Sequence, residues 1–161
     1  MNLYAFLKLV HIAAVIMFLG NIVTGLFWMR QAHKTGHLPI ISFTMKSIIT
    51  SDRWFTIPGV FIITIGGFSA AIQGGIPLLR TGWIFWPIVL FSLSGLAFAW
   101  KVVPLQRKIF LLTTVPDPGK FDQALYYSYF KQWESWGLVA LLTPLTAMVM
   151  MVLKIPAQSV F

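Results

Sequence analysis

The chain has 161 residues, 58% of them hydrophobic and only 10% charged, with a mean hydropathy of +0.81. Soluble domains carry about 25% charged residues, so this composition excludes an ordinary water-soluble fold. The formal net charge of +8 lies beside apolar stretches, where it suits anionic membrane lipids and argues against nucleic acid as a partner.

Four segments are long and apolar enough to cross a hydrocarbon core of about 30 Å, which needs roughly 18 or more such residues. They cover about 3–29, 54–74, 79–101 and 136–153. The expected fold is therefore all-α, an integral membrane four-helix bundle, with residues 1–161 as a single four-span transmembrane domain. The first span does not read as a signal peptide, because its apolar run is too long and its basic flank follows it. Between the first two spans, 31–52 is too polar to cross. Within it, Pro39 to Thr50 is expected as a short interfacial helix with Ile40, Ile41, Ile48 and Ile49 toward lipid.

Gly74, Gly75 and Pro77 predict a tight turn that makes the second and third spans antiparallel neighbours. Asp117-Pro118 reads as an N-cap followed by a first-turn proline. The helix starting there is expected to run through Tyr126, Tyr127 and Phe130 into the last span, which Pro144 kinks without ending.

Charge placement predicts the topology. Arg30, Lys34, Lys46 and Arg53 precede the second span; Lys101, Arg107, Lys108, Lys120 and Lys131 lie between the third and fourth. Only Lys8, Arg80 and Lys154 mark the opposite side. Short loops rich in Lys and Arg stay in the cytoplasm, so both termini are expected outside. Trp28, Trp54, Trp100, Trp133 and Trp136 would then form the aromatic belt at the cytoplasmic interface, with Trp83 at the outer one.

Lys8 and His11, one helical turn apart, are the ionisable side chains placed well inside a span. Charge at membrane depth is costly, so such a pair needs a partner or a role. His11 lies roughly 12 Å below the outer edge at 1.5 Å per residue. Gly66-Gly67, Trp86-Pro87, Met148 and Met151 fall at a similar level. Haem suits this layer. Neutral imidazole is its commonest protein ligand, and methionine can be a second one. Glycines admit a flat macrocycle, and Lys8 can meet a propionate. The structural alternatives are close helix packing at Gly66-Gly67, methionines as filler, and a Lys8 that snorkels to the headgroups. For His11 the alternative is a hydrogen bond to Asn21 or to a Ser or Thr of another helix. Asn21 and Thr24 are expected to bond between helices.

Other motifs are weaker. His33 and His37 are four apart, but Gly36 and Pro39 oppose the helix that a zinc pair would need. Asp52, Asp117, Asp122 and Glu134 fall in cytoplasmic segments, which leaves no carboxylate pair for a proton relay. Asp52-Arg53 and Glu134 are expected to form an ion-pair cluster at the inner rim. With no cysteine there is no thiolate ligand or iron–sulfur cluster, and no phosphate loop, dinucleotide fingerprint or nucleophile elbow is present.

Tyr4 to Ile12 (YAFLKLVHI), with its Lys-x-x-His pattern, resembles the opening of the haem-containing bacterial protoporphyrinogen oxidases and, more loosely, of CopD-type copper-resistance proteins. Asp52-Arg53-Trp54-Phe55 with Pro58-Gly59, Thr81-Gly82-Trp83, and Met151-Val152-Leu153-Lys154 before Pro156 resemble the domain of unknown function 2269 family over nearly the whole chain. The oxidase resemblance implies haem b ligation by His11. Those enzymes place a lysine where Pro87 stands here, which speaks against their reaction. The bacterial cytoplasmic (inner) membrane is the implied location.

The expected function is a redox or electron-transfer role for a haem b protein, with His11 as the metal ligand and Lys8, Gly66, Gly67 and Met148 around the cofactor. Its alternatives are a non-enzymatic membrane protein without cofactor and a copper-handling one. Partners are membrane lipids and a second copy of the chain in a homodimer; no motif names an electron donor, acceptor or substrate. Since no other histidine lies in a span, one chain cannot supply two imidazoles. The sixth position is left to Met148, Met151, His11 of a second protomer or no protein ligand, and an open or weakly held position is expected.

Overall fold

The computed structural model describes residues 2–115, 119 and 121–157. Four long helices account for most of them, and no β-strand occurs among the described residues. They are α1 (Leu3–Thr35), α2 (Leu38–Gln73), α3 (Gly82–Thr113) and α4 (Gln123–Leu153). At 1.5 Å per residue each is about 45–55 Å long, well beyond a 30 Å hydrocarbon core. Every helix overruns its expected span at the same end, which carries most of the basic residues. This is the basic end; the opposite one, with Leu3 and Leu153, is the terminal end.

Local chemistry sets the helix limits. The Asn2 side chain accepts the Ala5 N–H at 2.8 Å and starts α1. Gly36, at φ 66°, ends it in the left-handed region that glycine enters without penalty. Asp122 caps α4 by accepting the Leu125 N–H at 2.9 Å. The Asp117-Pro118 start expected for this helix lies outside the described residues. As expected, α4 runs unbroken from Gln123 through Pro144 to Leu153.

The segment after Pro39 is a helix, but not an interfacial one. Ile41 and Ile48 are buried, as are Ser42 and Met45, and of the four isoleucines only Ile40 is exposed. It continues into the second span through a π-helical turn, Asp52–Thr56, and α3 contains a second, Phe98–Val102. Each lies just before a proline, Pro58 or Pro104. A proline lacks the N–H and crowds the carbonyl four residues back, here Trp54 or Trp100. Widening the turn shifts the bonding, so that Ile57 N–H reaches Asp52 and Val103 N–H reaches Phe98.

These turns divide the molecule. Toward the basic end the four helices close around one core, in which Met29, Met45 and Ile109 are fully enclosed and Phe130 and Trp133 nearly so. Toward the terminal end the helices separate into two pairs. No Cα of Ile57–Gln73 comes within 8 Å of Gly82–Ala97 or of α4, and none of Gly82–Ala97 comes that close to α1. The second and third spans are joined by the turn at Gly74-Gly75 but are not packed neighbours, which corrects the sequence expectation. Side chains bridge the pairs: Phe18 of α1 meets Phe91 of α3 with ring centroids 5.6 Å apart.

Trp54 and Trp100 are 72% exposed and lie roughly 27 Å along their helices from the terminal end. That matches an interfacial belt one hydrocarbon thickness from the other side. Trp133, expected in the belt, is instead in the core.

Replacing Ile109 by alanine should lower stability by roughly 2–5 kcal/mol, the range for emptying an enclosed site of that size. Phe43→Ala, at a 73% exposed position, should change it little. Denaturant unfolding of the detergent-solubilised protein separates the two.

Candidate functional site

The inward stripe of α1 runs through His11, Ala14, Phe18, Asn21, Leu26 and Met29, spaced by three to five residues as a helix face requires. Two polar centres lie on it. The first is His11, on the terminal side, packed against α2. Its Nδ1 is 2.8 Å from the Ile63 carbonyl oxygen. A carbonyl only accepts, so Nδ1 carries the proton and Nε2 holds the free lone pair. No hydrogen bond engages Nε2 among the described residues. The partner is thus a backbone carbonyl and not Asn21, a serine or a threonine.

Gly66 and Gly67 stand at the level of His11, as depth counting from the sequence indicates, and their use is specific. A Cβ on Gly67 would fall 2.9 Å from His11 Cε1 and 3.0 Å from Nδ1. The second glycine therefore exists for the imidazole, while a Cβ on Gly66 would meet His11 only at ordinary contact distance. The space the pair leaves is filled by the histidine itself. Met148 packs against the apolar cluster formed by Ala14, Phe18, Leu19 and Ile63. Lys8 is exposed.

The second centre surrounds Asp52, and sequence reasoning misplaced it. Far from pairing with Arg53 and Glu134 at the rim, Asp52 is 7% exposed and enclosed by helices. Its Oδ1 accepts from Asn21 Nδ2 at 3.0 Å and from Thr56 Oγ1 at 2.6 Å; its Oδ2 accepts from Gln106 Nε2 at 2.8 Å. Asn21 is thus an interhelical residue, as expected. Thr24 is not, because its hydroxyl bonds back to Gly20 and Asn21 of its own helix. Adjacent charge suggested a rim for Asp52-Arg53; the wide turn that starts at Asp52 carries its carboxyl inward. Gln106 was missed because it sits next to Arg107-Lys108 in what reads as a polar loop.

At the basic end Glu134 pairs with Arg30. His33 stacks on Phe130, centroids 4.0 Å apart, and shares a 2.9 Å hydrogen bond with the Tyr126 hydroxyl. It is therefore a packing residue, separated from His37 by the end of α1. Lys101, Lys108 and Lys131 lie over the rings of Trp136, Tyr129 and Tyr127. Among the described residues no three His, Cys, Asp or Glu side chains converge as a metal cluster would require.

Residues 5–155 match the profile of a family described as a predicted integral membrane protein, DUF2269. Comparison with curated proteins and with solved structures gives no match.

The seating of His11 has a direct consequence. Gly67→Ala should force the imidazole or α2 to shift and cost about 1–3 kcal/mol, as overpacking does. Gly66→Ala should be neutral or slightly stabilising, since alanine favours the helix by about 1 kcal/mol. Thermal unfolding in one detergent compares them.

Proposed function

The chain belongs to the DUF2269 family of predicted integral membrane proteins, and we propose that it binds haem b through His11 Nε2 and serves a redox or electron-transfer role in a bacterial cytoplasmic membrane. One observation carries this reading: the Ile63 carbonyl holds the Nδ1–H, which fixes the tautomer and leaves Nε2 as a basic lone pair. Metal-bound histidines are oriented by this kind of outer hydrogen bond, which also raises the basicity of the ligating nitrogen. The donor set fits haem, which needs only an axial imidazole from the protein, better than it fits a metal ion that needs several ligands.

Bound haem supplies one-electron chemistry at iron, tuned by its ligand and surroundings. The chain's own part is to orient. Gly67 leaves no side chain to push the imidazole from α2, and Ile63 fixes its rotation. Lys8, one turn nearer the terminal end and exposed, is the cation available to a propionate. Met148 packs in the apolar cluster beside this level and would supply a thioether only by leaving that packing, so a bound haem would keep room for a small ligand.

Both termini face outward in this reading, with the basic end in the cytoplasm. Reporter fusions at Gly36 and Gly119 should then read cytoplasmic and one at Gly75 external.

Protein purified from haem-replete cells should show a Soret band that His11→Ala abolishes and that His33→Ala and His37→Ala leave intact. The ferrous form should bind carbon monoxide with a clear Soret shift. A colourless, folded wild type would make His11 a helix-packing residue whose bond to Ile63 is its whole role.

A further inference from the structure

Asp52 joins α1, α2 and α3 through Asn21, Thr56 and Gln106, while α4 supplies no group to this network. Yet Trp133 of α4, only 2% exposed, has a buried indole N–H with no hydrogen-bond partner. A buried donor left unpaired costs about 1–3 kcal/mol. Trp133, Asp52, Asn21 and Gln106 all line one cavity between the helices, at the level of the two π-helical turns, which contribute Asp52, Phe98 and Val102 to its wall. It offers about 30 Å³ to the centres of water-sized molecules. A bound water needs roughly 10–15 Å³ by that measure, together with two or more polar partners.

We propose that this cavity is a binding site for one or two water molecules that link the Trp133 N–H to the Asp52 carboxyl group. Hydrogen-bond accounting selects the ligand class. Oδ1 of Asp52 already accepts two bonds and Oδ2 one, so a lone pair on Oδ2 remains. The indole can only donate. The occupant must therefore accept from Trp133 and donate toward Asp52, and water does both. A metal cation does neither, and the indole N–H would repel it. With water in place the network reaches all four helices at the level where the bundle divides into pairs. The inference is independent of His11 and of haem.

The test is NMR of the full chain in detergent micelles, with ¹⁵N in the tryptophan indoles and the Trp133 signal assigned by its loss in Trp133→Phe. The expected result is a cross peak from the Trp133 indole proton to water. That signal should also shift in Gln106→Leu, although Gln106 makes no direct hydrogen bond to Trp133. A Trp133 indole without a water cross peak would overturn the proposal, as would a signal unmoved by Gln106→Leu in a folded variant. Exchanging sodium or potassium for choline at constant ionic strength should leave the signal in place. A shift there would assign the cavity to a cation and overturn the water site equally. The cross peak itself is measured on the wild-type protein, and if Trp133→Phe misfolds, triple-resonance assignment of the Trp133 indole in the wild type replaces it, so misfolding of a variant does not remove the test.

Discussion

A carboxyl group enclosed by helices must be surrounded by donors, and Asp52 finds them on three helices at once. Leaving one buried without partners would cost several kcal/mol. Asn21, Thr56 and Gln106 each answer that demand from a fixed place in the fold. The register of α1 against α2, and of α2 against α3, is thereby specified by hydrogen bonds and not by apolar contact alone. In a bundle rich in interchangeable Ile, Leu, Val and Phe side chains, such a polar node singles out one alignment. Buried polar groups in coiled coils fix register in the same way.

The two π-helical turns act together with this node. Pro58 and Pro104 force each wide turn, and the turns lie at the border between closed bundle and separate pairs. Below them four helices share a core and a polar hub. Above them α1 keeps α2, through the small residues facing His11, and α3 keeps α4, through the bond from Ser94 to the Ala140 carbonyl at 2.7 Å. The sequence echoes this arrangement. Trp54 and Trp100 each stand four residues before the proline, so each helix places its interfacial ring where its hydrogen bonding changes.

Much of this was legible from residues alone. Hydropathy and length give four helices, and the depth count brings Gly66-Gly67 to His11, because both depend only on helical rise. What failed depended on rotation about helix axes. Ile41 and Ile48 looked lipid-facing because an isolated amphipathic helix has no stated partner, whereas α1 and α3 cover that face. Asp52 looked like a rim residue because its neighbour is Arg53, but consecutive helical residues point about 100° apart. Trp133 was assigned to the belt by type and level, yet the same rotation takes it inward and leaves Trp136 partly buried at the edge of the core.

The two polar centres share one stripe of α1 but do not touch. His11 and Asn21 are ten positions apart, roughly 15 Å along the axis. Between them lie Ala14 and Phe18, packed with Ile63, Phe91 and Met148 into an apolar layer. No hydrogen-bond chain among the described residues crosses it. Sites more than 7–10 Å apart with no shared partner contribute to stability additively within a few tenths of a kcal/mol. A ligand at His11 would accordingly be insulated from the hub, which has its own partners on the side toward the basic end. The layer also gives His11 a low-dielectric floor, and apolar surroundings are one means by which a protein sets the properties of a bound metal. If His11 holds a ligand as proposed, that ligand would approach from the terminal end or from between the helix pairs, where the backbones stand apart.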